Sequence, residues 1–115
     1  MSGRDHRCLR EIVRLCDDGT QLAARGHDWY VSDALNTPGL AAESIIIKIG
    51  ENVARLTDEK IAANPQVPWS SIKRMRDRLA HHYGATDYDA VWATISVDLP
   101  RVRAAIASLL AEVDR

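Results

Sequence analysis

A chain of 115 residues, 46% hydrophobic and 27% charged, has the length of one domain, expected to span 1–115, and a composition too ordinary for a disordered or fibrous protein. Its formal net charge of −1 argues against nucleic-acid binding by the whole surface and leaves only a local basic site. No apolar run approaches the roughly 20 residues of a membrane span, and the charged start MSGRDHRCLR lacks the apolar stretch of a secretion signal, so a cytoplasmic location is expected.

Along residues 4–25, Leu9, Ile12, Val13, Cys16 and Leu22 recur at helical spacing, with Asp18-Gly19 as a candidate break and Gly26 as the stop. Cys8 and Cys16 share this helix, about 12 Å apart in rise, too far for a disulfide. They read as small apolar residues in a reducing compartment. DWYVSDAL reads as a short helix capped by Asp28. Thr37-Pro38 then reads as an N-cap with proline at the first helical position. The face Leu40, Ile45, Ile49, Val53, Leu56, widened by Ile46 and Ile47, predicts one long buried helix ended by Asn64-Pro65. Pro68 opens the next helix, whose inward stripe is Ile72, Met75 and Leu79 and whose stop is Gly84. After GATD, a last helix from Asp87 carries the seam Ile95, Leu99, Val102, Ile106, Leu109 and Val113, with Pro100 expected to kink or split it. No segment sustains a period of two, so the expected fold is all-α, an up-down bundle of four to five helices.

The chemistry concentrates in RMRDRLAHHYG, residues 74–84. With Ile72, Met75 and Leu79 inward, Lys73, Arg74, Arg76, Arg78, His81 and His82 are left outside, and Asp77 is the one acid among them. Such a local positive patch suits phosphate. Asp77 and His81 are four apart on one face, so the carboxylate can fix the imidazole tautomer and favour its protonated form. Arg76 and His81 are separated by about 140° around the axis; a two-fold dimer would bring both pairs to one seam. A histidine near a helix C-terminus suits acid–base work, and an arginine suits a charged phosphorane. Cleavage of RNA through its 2′-hydroxyl needs no more than these parts, and His81-His82 alone is too little for a metal site, so neither metal nor cofactor is expected. On composition alone, the same residues describe a solvated helix end.

Arg76, His81 and Tyr83 fit R-x4-H-x-Y, and this motif on a late helix of a small bundle resembles the HEPN ribonucleases, above all the HepT-type toxins. IIIKIGENVARL resembles that family's long helix, PQVPWSSIKRMRDRLAHHY the stretch leading into its motif, and DYDAVWATISVDLPRV its last helix, so the resemblance covers roughly 4–112. It implies a homodimer with the two motif helices facing across a cleft. It implies metal-independent RNA cleavage carried by Arg76 and His81, leaving a 2′,3′-cyclic phosphate. The family's residue after the arginine is polar, usually Asn; here Asp77 can either orient His81 or blunt phosphate binding. The implied partner is a minimal nucleotidyltransferase antitoxin of a type VII-like toxin–antitoxin pair, which transfers AMP to Tyr83 and so fills the RNA site with negative charge.

Weaker assignments follow from the same resemblance. Lys73 and Arg74 are candidates to hold the RNA backbone, or serve solubility. Glu51 stands near the dimer seam or the site, or is structural. Trp69 and Trp92 are packing residues, His82 is incidental, and Trp29 and Tyr30 either anchor the antitoxin or cover the bundle. Three alternatives stay open: a non-catalytic HEPN protein that binds nucleotide or its nucleotidyltransferase partner, a structural helical dimer, and a chain that is chiefly an AMP acceptor.

Overall fold

A computed structural model describes residues 3–80 and 86–113, with no strand among them. The helices are α1 (Gly3–Ala24), α2 (His27–Ser32), α3 (Thr37–Ala54), α4 (Asp58–Ala63), α5 (Trp69–Ala80), α6 (Tyr88–Ala93) and α7 (Leu99–Val113), with a π-helical turn, Thr94–Asp98, joining the last two.

Contacts at their ends show that the four long helices alternate in direction. Asp5 at the start of α1 holds Thr57 just past α3, whereas Gly19 lies beside Ile45, so α1 and α3 are antiparallel. Arg103 bonds Asp17 while Leu99 meets Gly19, which sets α7 against α1 in the same sense. Gly50 faces Arg76 of α5, the α5 start is tied by Trp69 to Asn64 beyond the end of α3, and Glu43 near the α3 start meets Tyr88 of α6, so α3 and α5 are antiparallel. The core between them buries Leu9, Ile12, Cys16, Ile46, Ile49, Val53, Ile72, Ile95, Leu99, Val102 and Ile106. Each large aliphatic side chain buried there contributes about 1.5–3 kcal/mol. Both cysteines are buried and free.

Several boundaries differ from the sequence expectation. α1 is unbroken at Asp18-Gly19; Gly19 is buried where Leu99, Ile95 and Ile45 approach the helix. Asp28 lies inside the first turn of α2 rather than capping it, and Gly26, at φ 92°, holds the cap position. Asn36, left-handed at φ 55°, precedes α3, so Thr37 is its first helical residue and not its cap. Asp33 accepts from the N–H groups of Leu35 (3.2 Å) and Thr37 (2.8 Å), and the Thr37 bond holds its carboxyl below the usual carboxylate range. Leu40 is exposed, since Pro38, Gly39 and Ala42 set the inward phase of that turn.

The long helix also divides earlier than Asn64-Pro65. The buried Asp5 carboxylate accepts from Thr57 N (2.9 Å) and Thr57 Oγ1 (2.7 Å), and Thr57 Oγ1 accepts in turn from Lys60 N, which restarts the chain as α4. Asp87 does start the last helical run, accepting from Asp89 N and Ala90 N. The run stays helical through Pro100, with a π-helical turn between α6 and α7 just before the proline. Leu99 N bonds Thr94 O, five residues back, and this wider turn absorbs the proline. The expected stop at Gly84 lies outside the described residues, and among the described ones no helix is long and apolar enough to cross a membrane.

Candidate active site

The start of α5 is tied down by its own sequence. Ile72 N bonds Pro68 O, and the buried Trp69 donates its indole N–H to Asn64 O at 2.9 Å. Ile72 is buried and Met75 and Leu79 pack against the core, which fixes the rotation of the helix. Lys73 and Arg74 are therefore exposed, as the sequence predicts, and Arg74 donates to Ser71 Oγ at 3.4 Å.

Arg76 flanks the inward stripe and leans on α3. Its aliphatic stem lies directly over Gly50: a Cβ at residue 50 would overlap the Cβ of Arg76 and stand 2.5 Å from its Cγ and 3.5 Å from its Cδ. The side chain is 23% exposed, and Nη1 pairs with Asp77 Oδ1 at 3.1 Å. Its Nε is buried, with no hydrogen-bond partner among the described residues. An unmet buried donor costs about 1–3 kcal/mol, a cost native proteins concentrate where side chains have work other than packing. Asp77, 45% exposed, thus bonds the arginine beside it. His81, the partner expected for it, lies outside the described residues, as do His82 and Tyr83.

The chain beyond the motif is anchored to the same helix. Thr86 Oγ1 donates to Glu43 Oε1 (3.2 Å) and Tyr88 OH donates to Glu43 Oε2 (2.8 Å). The second bond pushes the Tyr88 phenol pKa up. Tyr30 is buried, its OH donates to Tyr88 O at 2.8 Å, and burial pushes its own pKa up to about 12. Its ring packs on Trp92, 4.9 Å between centroids. Trp69, Trp92 and Tyr30 are therefore packing residues, while Trp29 is half-buried under the Arg25 guanidinium and Glu51 is exposed.

Sequence reasoning passed over Gly50 and Glu43. The available signal was a glycine inside a strongly periodic helix, where it costs about 1 kcal/mol relative to alanine and so asks for a packing reason. Among the described residues there is no group of three or more His, Cys, Asp or Glu side chains placed to hold a metal ion.

Comparison with known proteins extends beyond the motif. A provisionally named RNase of Methanocaldococcus jannaschii is 33% identical over 66 residues, 57% of this chain and 54% of the relative. A protein of Thermococcus cleftensis named probable ribonuclease HepT is 33% identical over 55 residues, 48% of this chain and 50% of the relative. A second Methanocaldococcus jannaschii protein, named as a gamma-glutamylcyclotransferase and provisional RNase, is 28% identical over 107 residues, 93% of this chain and 46% of that protein. The chain spans about half the length of these curated relatives. No solved structure matches it. The family model described as Ribonuclease HepT-like matches residues 9–109, from α1 through the Gly50–Arg76 contact to α7, and the chain belongs to that HEPN family.

Proposed function

We propose that the chain is a metal-independent endoribonuclease toxin with Arg76 and His81 as its catalytic residues, working as a homodimer. The observation that carries this reading is Arg76 itself: a cation seated over a glycine of α3, one N–H buried and unpartnered among the described residues, with exposed Lys73 and Arg74 on the same helix. Family membership and relatives named as RNases support it. In the reaction, a base removes the 2′-OH proton and the 2′-oxygen bonds to phosphorus. The P–O5′ bond breaks, and an acid gives the leaving oxygen its proton, so the products are a 2′,3′-cyclic phosphate and a 5′-hydroxyl. His81 serves the proton transfers, Arg76 the charge on the phosphorane oxygens, and Lys73 and Arg74 the RNA backbone. A partner nucleotidyltransferase silences the site by placing AMP on Tyr83.

The experiment is RNA cleavage in EDTA by purified protein, wild type beside folded His81→Ala and Arg76→Ala, with analysis of product ends. Cleavage by wild type alone, leaving cyclic phosphate ends, is the expected result; wild-type protein without AMP that leaves total RNA intact overturns the proposal. On incubation with ATP and the partner enzyme, wild type gains the mass of AMP and Tyr83→Phe does not.

One observation favours a second reading. The Asp77–Arg76 ion pair engages the cation a phosphate would need, as in a non-catalytic HEPN protein that binds nucleotide or the nucleotidyltransferase. Nucleotide binding with no cleavage in either wild type or Asp77→Asn would select it.

A further inference from the structure

Catalysis by Arg76 together with residues later in the same segment depends on register, because a reacting group displaced by about 1 Å loses about 10²-fold in rate. The described contacts place both ends of that segment on α3. At one end the Arg76 stem lies on Gly50; at the other, Thr86 and Tyr88 each use one oxygen of Glu43. Glu43 and Gly50 are seven residues apart, two turns along one edge of the helix, with a rise of about 10 Å between them. Tyr88 is held from its other side by Tyr30 through its carbonyl, and Asp87 between the two hydroxyl donors caps α6. The tie therefore reaches α2 and α6 as well.

A half-buried carboxylate is a poor choice if this seam needs only adhesion, since an apolar side chain of similar volume does that without desolvating a charge. What two carboxylate oxygens supply is direction, one fixed acceptor for each of two hydroxyls.

We propose that Glu43 is a positioning residue of the nuclease: with Gly50 it holds the two flanks of segment 76–88 on one edge of α3 and sets the register between Arg76 and the residues after it. The inference rests on the ribonuclease reading above.

Its test is steady-state RNA cleavage by the full chain as wild type, Glu43→Leu, Glu43→Gln, Tyr88→Phe and the Glu43→Leu/Tyr88→Phe double variant, with Arg76→Ala alongside. Each is assayed well below its melting temperature, with the folded fraction measured by circular dichroism. Glu43→Leu is expected to lower kcat about 10- to 100-fold and to leave KM within about twofold, because Arg76, Lys73 and Arg74 are untouched. Glu43→Gln keeps one acceptor oxygen and falls between. The double variant is no worse than Glu43→Leu, because both changes break the same tie. A merely structural role would lower the melting temperature and leave kcat per folded molecule unchanged. That outcome overturns the proposal, as does a rise in KM at constant kcat or full additivity in the double variant. If Glu43→Leu does not fold, Glu43→Gln and Tyr88→Phe decide alone, and wild-type kcat in both overturns it. Activity lost in Arg76→Ala and retained in folded Glu43 variants sinks only this inference; wild type no more active than Arg76→Ala sinks the ribonuclease reading and this inference with it.

Discussion

Replacing Gly50 with alanine adds one methyl group at the point where α3 carries Arg76. Gly→Ala inside a helix normally gains about 1 kcal/mol. Here the methyl overlaps the Arg76 Cβ and stands 2.5 Å from Cγ, whereas ordinary contact begins at 3.4 Å. A Cβ is fixed to its backbone and does not rotate away, so α3 and α5 must separate locally by about 1 Å to restore van der Waals contact. Overpacking of this kind costs about 1–3 kcal/mol. Set against the helix gain, the net effect runs from about zero to a loss of about 2 kcal/mol, or up to roughly 8 °C in melting temperature for a domain of this size. Under the proposed function, a 1 Å displacement of Arg76 should lower the cleavage rate by about 100-fold. Gly19→Ala is the control: its methyl meets Leu99 Cδ1 at 2.6 Å, the end of a flexible side chain on the α1–α7 seam. It should keep the wild-type rate and shift stability by less than about 1 kcal/mol, the helix gain offsetting the repacking. Thermal melts followed at 222 nm and initial rates of RNA cleavage per folded molecule read both effects. Wild-type melting and wild-type rate in Gly50→Ala would refute the reasoning; a lowered melting point with an unchanged rate would make Gly50 a packing residue only.

Asp77→Asn keeps the shape of the side chain and removes the charge paired with Arg76. With Asp77 45% exposed, solvent screening limits the effect to about 0.2–1 kcal/mol, so KM for RNA should fall roughly 1.5- to 5-fold at low salt and the gain should fade as salt rises. Loss of cleavage instead would show that Asp77 serves His81. Asp5→Ala removes the buried acceptor of Thr57 N and Oγ1 and should cost about 1.5–3 kcal/mol, read as a lower urea midpoint with cleavage per folded molecule unchanged; an unmoved midpoint contradicts the role given to that carboxylate. The folded chain holds Tyr30 and Cys16 protonated up to about pH 12, against ordinary values of 10.0 and 9.0, both chiefly through burial. Because both folded values are raised, their contribution is complete below pH 9 and is lost as pH rises from 9 through 12. These two groups leave melting temperature level from neutral pH to the start of that window, and it should fall across the window, less steeply in Tyr30→Phe. Native Cys16 should resist iodoacetamide at neutral pH, and labelling as fast as in urea would contradict its burial.

The helices of this bundle were legible wherever one buried face repeats without ambiguity. Leu9, Ile12 and Cys16 in α1 and Leu99, Val102, Ile106 and Leu109 in α7 are buried as their spacing predicts. α3 was harder because Ile45, Ile46, Ile47 and Ile49 support two phases at once. The phase that packs runs through Pro38, Ala42, Ile46, Ile49 and Val53 and leaves Leu40 outside. Thr57-Asp58-Glu59 carried the mark of a new helix start, a capping hydroxyl followed by acids, but the carboxylate that settles the break is Asp5, from the far end of the chain. The candidate site divides in the same way. Lys73 and Arg74 follow from helix rotation, which local spacing fixes. That Arg76 rests on Gly50, and that Thr86 and Tyr88 close on Glu43, are facts of α3 lying beside α5 and the start of α6. In a one-dimensional reading a mid-helix glycine is only a weakness and a lone glutamate only a charge. The spacing R-x4-H sets the two proposed catalytic groups about 140° apart on an ideal helix, which by itself is a poor geometry for joint action. A second helix that holds the segment at both flanks is the kind of support such a motif requires, and for that reason substitutions on α3, which bears none of the motif, are the sharper test of how the site works.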